Sequence, residues 1–201
     1  MLKFPSSKNW LISLNHDVDR VCREFQHWND GKLISDLEFY TVVLEDRRFF
    51  SHIGFDFLSI LREFSRLITL RRHGGASTID MQFVRTVAER YEYSFYRKFR
   101  EVMLSVLIQF PAEKVVIIRS YLELAYFGNG LRGADAAAMA MFGRNAGALR
   151  GYDAAFIAAM LVYPRPANPT GRWHEKVNRR AIYGLKIGAR LEKGFQKIGM
   201  R

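Results

Sequence analysis

The sequence predicts a mainly α protein, and three observations carry that prediction. Apolar residues recur at helical spacing in several segments, as at Leu58, Leu61, Phe64, Leu67 and Ile68. Few segments alternate with the period of two that a half-buried strand requires. The prolines are few and stand at edges: Pro5, Pro111, Pro164, Pro166 and Pro169. At 201 residues, 49% hydrophobic, the chain is long enough for one full core, so a single domain over 1–201 is expected.

In chain order, Leu33–Leu44 reads as a helix ending in Tyr40-Thr41-Val42-Val43-Leu44 and stopping abruptly at Glu45. Phe57–Leu70 follows. Thr78–Tyr91 begins after Gly74-Gly75, with Ser77 as its expected N-cap. Phe95–Phe110 is basic first and apolar later, and Pro111 stops it. Lys114–Tyr126 is closed by Gly128 and Gly130. Ala134–Met141 is alanine-rich and suited to close packing, and Asp153–Val162 ends before Pro164. Residues 170–201 form a basic helical tail with nine basic residues against two acidic ones.

Charge and cysteine count narrow the function classes. Lysine and arginine total 31 against 20 acids, giving +11. Such a balance points to an anionic partner: nucleic acid, an anionic membrane surface or a phosphorylated substrate. No zinc-finger spacing, aromatic RNA platform or helix-turn-helix register supports nucleic acid, so none is expected. Cys22 is alone, which excludes an internal disulfide and a cysteine zinc cluster. The longest uncharged stretches, Val102–Ala112 and Ala154–Pro164, have eleven residues each. A spanning helix needs about 17–25. The residues themselves therefore predict neither a membrane span nor a secretion signal.

Three clusters carry chemistry. Glu45-Asp46-Arg47-Arg48-Phe49-Phe50-Ser51-His52-Ile53-Gly54-Phe55-Asp56 sets two carboxylates at the end of an apolar helix. Apolar surroundings disfavour the charged form and push a carboxylate toward a useful base. His52 and Asp56 also suit bonds within the loop. Arg72 to Gln82 runs glycine, hydroxyl, helix start; its free N–H groups suit an anion, or it is an ordinary capped loop. Tyr96-Arg97-Lys98-Phe99-Arg100-Glu101 puts Arg97 and Glu101 on one helix face. The cluster reads as a salt-bridged surface or as two cations for a diphosphate with a carboxylate beside them.

Together and in this order, these clusters resemble the peptidoglycan glycosyltransferase domain, glycosyltransferase family 51, found in monofunctional transglycosylases and penicillin-binding proteins. The likeness runs from about Tyr40 to Pro169. Glu45–Asp56 is similar to E-D-x-x-F-x-x-H-x-G-x-D with every specified type present. Gly75–Thr86 resembles G-G-S-T-I-T-Q-Q-L-x-K-N, and Arg97–Gln109 resembles R-K-x-x-E-x-x-x-A-x-x-L-E. Gly133–Arg144 resembles G-V-x-x-A-A-x-x-Y-F-G-K, and Leu149–Pro169 the last motif.

The resemblance implies a lysozyme-like, mostly α fold with a larger globular lobe and a small membrane-facing lobe that includes Phe57–Leu70. It implies lipid II as substrate: a sugar 4-hydroxyl attacks the anomeric carbon of the growing chain, configuration inverts, and a polyprenyl diphosphate leaves. Glu45 matches the family's base and Glu101 its second glutamate, on the diphosphate side. Arg85, Arg97 and Lys98 match its cations; Ser77, Thr78 and Gln82 match positions lining the donor cleft. Asp46 and His52 belong to the first motif and count as substrate-binding. No metal ligands are written in the sequence, although a divalent ion (Mg or Mn) at the diphosphate is an implied cofactor. Implied partners are an anionic membrane surface and cell-wall synthesis proteins, at the outer, periplasmic face of the cytoplasmic membrane.

The pattern also breaks. Ala76 replaces a glycine, and Asp80 and Met81 stand where the family has threonine and glutamine. Asp80 adds a carboxylate near the diphosphate side, unhelpful unless it holds a metal or pairs with Arg85. Gln109 removes an acid. Arg119 and Glu123 replace glutamate and asparagine. Competing expectations are a catalytically weak binder of lipid-linked glycan, a lysozyme-like hydrolase, which would not need Arg97-Lys98, and a basic nucleic-acid binder.

Overall fold

The computed structural model describes residues 7–25, 33–58, 77–89 and 95–197. Its helices are α1 (Ser7–Arg23), α2 (Asp36–Glu45), α3 (Ile79–Ala88), α4 (Phe95–Leu107), α5 (Lys114–Leu124), α6 (Ala134–Phe142), α7 (Gly151–Met160) and α8 (Gly171–Lys197). A short antiparallel hairpin, β1 (Tyr126–Gly128) with β2 (Leu131–Arg132), sits between α5 and α6. The mainly α expectation holds. The Phe57–Leu70 segment, expected in the small lobe, lies outside the described residues beyond its first two.

Helix α2 is the central element. Ser35 caps it, accepting from the Glu38 N–H, while the Glu38 carboxylate accepts from the Ser35 N–H. Leu37, Phe39, Tyr40, Val42 and Val43 are all buried, so the helix is wrapped on every side. One wrapping is α7, where Ala154, Ala155, Ala158 and Ala159 are fully buried. The other is α8. A Cβ on Gly184 would lie 3.1 Å from Leu44 Cδ2, and one on Gly188 only 2.9 Å from Tyr40 Cε1. Absent side chains let α8 lie directly on α2.

Three sequence expectations shift. Thr78, not Ser77, caps α3: its Oγ1 accepts from the Met81 N–H, and the helix starts at Ile79. It ends earlier too, at Glu89, which adopts a left-handed φ of 52°. The residues after Leu124 leave the helix for the hairpin, because Gly128 (φ 140°) lies against the Arg165 backbone. Helix α1 has no strong signature beyond Trp10–Leu14. A long-range pair holds it: Arg100 Nε donates to Asp17 Oδ2 at 2.8 Å and Nη2 to Ser13 Oγ at 2.9 Å.

The start of α3 is locked from three sides. Thr78 Oγ1 donates to the Gly54 carbonyl at 2.6 Å. Lys114 Nζ, from α5, donates to both oxygens of the fully buried Asp80 at 2.8 and 3.0 Å and lies over the Phe49 ring. Gln109, just past α4, donates to Asp80 Oδ1 at 2.8 Å. So the acid missing at 109 and the acid gained at 80 meet in one contact. Asp80 turns to Lys114, not to Arg85 as expected if it answered a site cation. Burial pushes the Asp80 carboxyl up and the Lys114 ammonium down, and each opposes the other's shift.

Gly54 has a φ of 93°, and a Cβ there would fall 2.0 Å from the Ser105 carbonyl oxygen of α4. Gly54→Ala should cost about 3 kcal/mol, roughly 6–12 °C in Tm, against about 1 kcal/mol for Gly130→Ala, which meets open space. Thermal melts of the two check this. Lys114→Met should cost about 3–5 kcal/mol by leaving Asp80 charged and unpaired. Adding Asp80→Asn should restore most of that loss, read as denaturation midpoints in urea at constant slope.

Candidate active site

Glu45 ends α2, where the helix dipole is negative and the last carbonyls lack intrahelical donors. A carboxylate there needs a positive neighbour. Arg180 of α8 supplies it: one nitrogen, Nη2, donates to the Leu44 carbonyl at 2.9 Å and to Glu45 Oε1 at 2.8 Å. Arg47 Nε donates to the Val43 carbonyl and its Nη2 to the Tyr183 hydroxyl. The other carboxylate oxygen, Oε2, receives a longer bond, 3.3 Å, from Gln82 Nε2. Gln82 in turn accepts at 2.6 Å from the hydroxyl of buried Tyr121. Burial, with the Glu45 charge behind it, pushes the Tyr121 phenol far up, so it stays a donor.

Asp46 is buried, and the side chain of His52 is largely covered beside it. Asp46 Oδ2 accepts from the Ile79 N–H at 3.2 Å and lies 2.9 Å from His52 Nε2. The expectation that free N–H groups at this helix start face a phosphate is therefore corrected in part. The Ile79 and Met81 N–H groups are taken by Asp46 and Thr78. His52 Nδ1 lies 3.9 Å from Asp80 Oδ2. Among the described residues Asp46, His52 and Asp80 are the group close enough to share a metal ion, within 4.8 Å of one another. The Lys114 ammonium already holds both Asp80 oxygens.

The cationic cluster stands at the other end of the α3 start. Glu101 is buried on α4, and each of its oxygens holds one cation: Arg97 Nη1 on Oε1, Lys98 Nζ at 3.2 Å on Oε2. Lys98 Nζ also donates to Ser77 Oγ at 2.9 Å. Burial lowers the Lys98 ammonium, Glu101 counters, and the charges of Arg85 and Arg97 add to the lowering. Arg85 lies one turn beyond Gln82, and its charge acts on both Lys98 and Tyr121.

Segment 77–85 thus touches both groups. Ser77 meets Lys98 just before the N-cap, and Gln82 meets Glu45 in the first turn of α3, five residues on. Beside them lies a cavity of about 500 Å³, lined by Gln82, Arg85, Tyr121, Tyr126, Arg132 and neighbours. A larger cavity of about 760 Å³ lies past Arg132, around the Glu38–Arg119 pair, and contains none of the expected site residues. Arg180 and Tyr121 went unremarked in the sequence. The i, i+4, i+8 series Arg180, Gly184, Gly188 was the available signal, because two glycines on one face mark a close approach.

Comparison with known proteins bears on this arrangement. The family model described as Transglycosylase matches residues 22–187. A biosynthetic peptidoglycan transglycosylase of Shewanella oneidensis is 30% identical over 99% of this chain and 84% of its own length. Its counterpart in Aeromonas hydrophila is 34% identical over 99% of this chain and 83% of that protein. Penicillin-binding protein 1A of Rickettsia felis is 36% identical over 87% of this chain, which spans 24% of that longer protein. With the Glu45 end of α2 and a cationic turn of α4 both reaching segment 77–85, and with these matches along nearly its whole length, the chain belongs to the transglycosylase family, glycosyltransferase family 51.

Proposed function

We propose that the chain polymerises a lipid II-type substrate into peptidoglycan glycan strands by inverting glycosyl transfer, with Glu45 as general base. The observation that carries this is the joint contact of Glu45 and Lys98 with one helix start, through Gln82 and Ser77. Arg180 holds Oε1, so Oε2 is the oxygen that takes the proton from the acceptor's 4-hydroxyl as that oxygen attacks the donor's anomeric carbon. The bond from that carbon to the diphosphate breaks on the opposite face. Negative charge grows on the departing lipid diphosphate, and Arg97, Lys98 and Arg85 meet it more strongly in the transition state than before.

Glu101 acts through the two cations it holds. Asp46, His52 and Thr78 fix the segments behind the site, and Ser77 orients Lys98. A divalent ion (Mg or Mn) would find Glu101 as its carboxylate there. Both oxygens are already bonded to Arg97 and Lys98, so the residues do not fit a metal, and no step runs through one. No described helix is long and apolar enough to cross a membrane. The relatives are named as biosynthetic peptidoglycan transglycosylases, and peptidoglycan is a cell-envelope polymer, which supports an envelope location. We assign this chain to the same place, at the outer face of the cytoplasmic membrane, with cell-wall synthesis proteins as its neighbours.

Glu45→Gln should lower glycan polymerisation from purified lipid II by about 10²–10⁴-fold while lipid II binding persists. Product from the variant at the wild-type rate would remove Glu45 from its role. Lipid II binding by both proteins with product from neither would favour the binding-only alternative. The alkaline limb of the kcat/KM profile should fall below the pH where an ordinary lysine deprotonates, because burial lowers Lys98. In Lys98→Arg that limb should move upward, since guanidinium stays charged. Profiles of the two proteins decide it.

A further inference from the structure

Helix α8 buries one face and leaves the other exposed, although Tyr183 there has a partner, its hydroxyl accepting from Arg47. Trp173, Val177, Ala181, Gly184, Gly188 and Phe195 form the buried side against α2 and α7. On the far side, Arg172, Lys176, Arg179, Lys186, Arg190 and Lys193 are all exposed. Their spacing repeats at three and four residues, so they fall within one arc of the helix. The span from Arg172 to Lys193 is about 31 Å of straight helix. One carboxylate, Glu175, stands in this arc, paired with Arg179 at 3.0 Å across an exposed surface. Two apolar groups lie among the cations: Ile182 at 41% and Tyr183 at 46% exposure.

We propose that this face of α8 is a docking surface for the anionic headgroups of a phospholipid membrane. A line of cations about 30 Å long matches a flat sheet of negative charge. Tyr183, about half exposed and held by Arg47 at its hydroxyl, adds an aromatic body and a further cation beside this line. The helix's apolar face is committed to the core, so it docks by its charged side and does not insert. Its Arg180, on the flank of the same helix, holds Glu45 at 2.8 Å. Docking therefore sets the base within about one helix diameter, some 10–12 Å, of the headgroup plane. The inference rests on the charge and exposure of α8, independently of the catalytic reading.

Co-sedimentation of the full chain with phosphatidylglycerol vesicles and with phosphatidylcholine vesicles tests it. The wild type should bind the anionic vesicles and not the neutral ones, and should release in about 0.5 M salt, where screening acts over only a few ångströms. Each cation near an anionic surface is worth about fivefold, so K186Q/R190Q/K193Q should bind about 100-fold more weakly. R23Q/R144Q/R150Q removes the same charge from exposed sites elsewhere and should change binding far less. Equal losses in the two variants would assign binding to net charge and overturn the proposal. So would binding that survives high salt, equal binding to neutral vesicles, or retention of duplex DNA without retention of vesicles. Polymerisation of detergent-dispersed lipid II should be unchanged in K186Q/R190Q/K193Q, which keeps a failure here separate from a failure of the catalytic reading.

Discussion

A negative side chain stands at the negative end of a buried helix, and the rest of the site follows from how that is tolerated. Glu45 meets the dipole of α2 and the open carbonyls of its last turn. Arg180 satisfies both with a single nitrogen. Its two N–H groups serve the carbonyl and the carboxylate at once, and the guanidinium keeps its charge throughout. The requirement reaches back into the packing. Arg180 arrives only because α8 lies against α2, and α8 lies there only because its contact face carries glycines.

Helix α3 plays the complementary part. Its first residues make contacts with the loop after α2, with α4 and with α5, so the Glu45 side and the cation side share one reference. Two of those contacts use groups that a simpler reading would reserve for substrate. Asp46 and Thr78 consume N–H donors at the helix start, so the positive charge beside it resides on side chains such as Lys98, Arg97 and Arg85.

Much of this was legible in the chain. Helical spacing located α2 to α7 within a few residues, and the order of the motifs identified the family. What stayed hidden was non-local. The hairpin at Tyr126–Arg132 follows from the approach of Gly128 to Arg165, nearly forty residues on. Helix α1 is held by Arg100 from the far side of the chain. The N-cap moved from Ser77 to Thr78 because the Thr78 hydroxyl has a second partner in Gly54. Asp80 and Gln109 each looked like a weakening departure. Only in three dimensions do they become one contact with Lys114.

The glycine ridge on α8 gives side-chain volume an electrical meaning. Position 188 sits two turns from Arg180 and touches no reacting group, yet even a methyl there would press on an aromatic ring of α2. Whatever lifts the two helices apart also stretches the contact between guanidinium and carboxylate. Divergence within such a fold can therefore loosen or tighten an ion pair by steric wedging alone, with no change in the charged residues themselves.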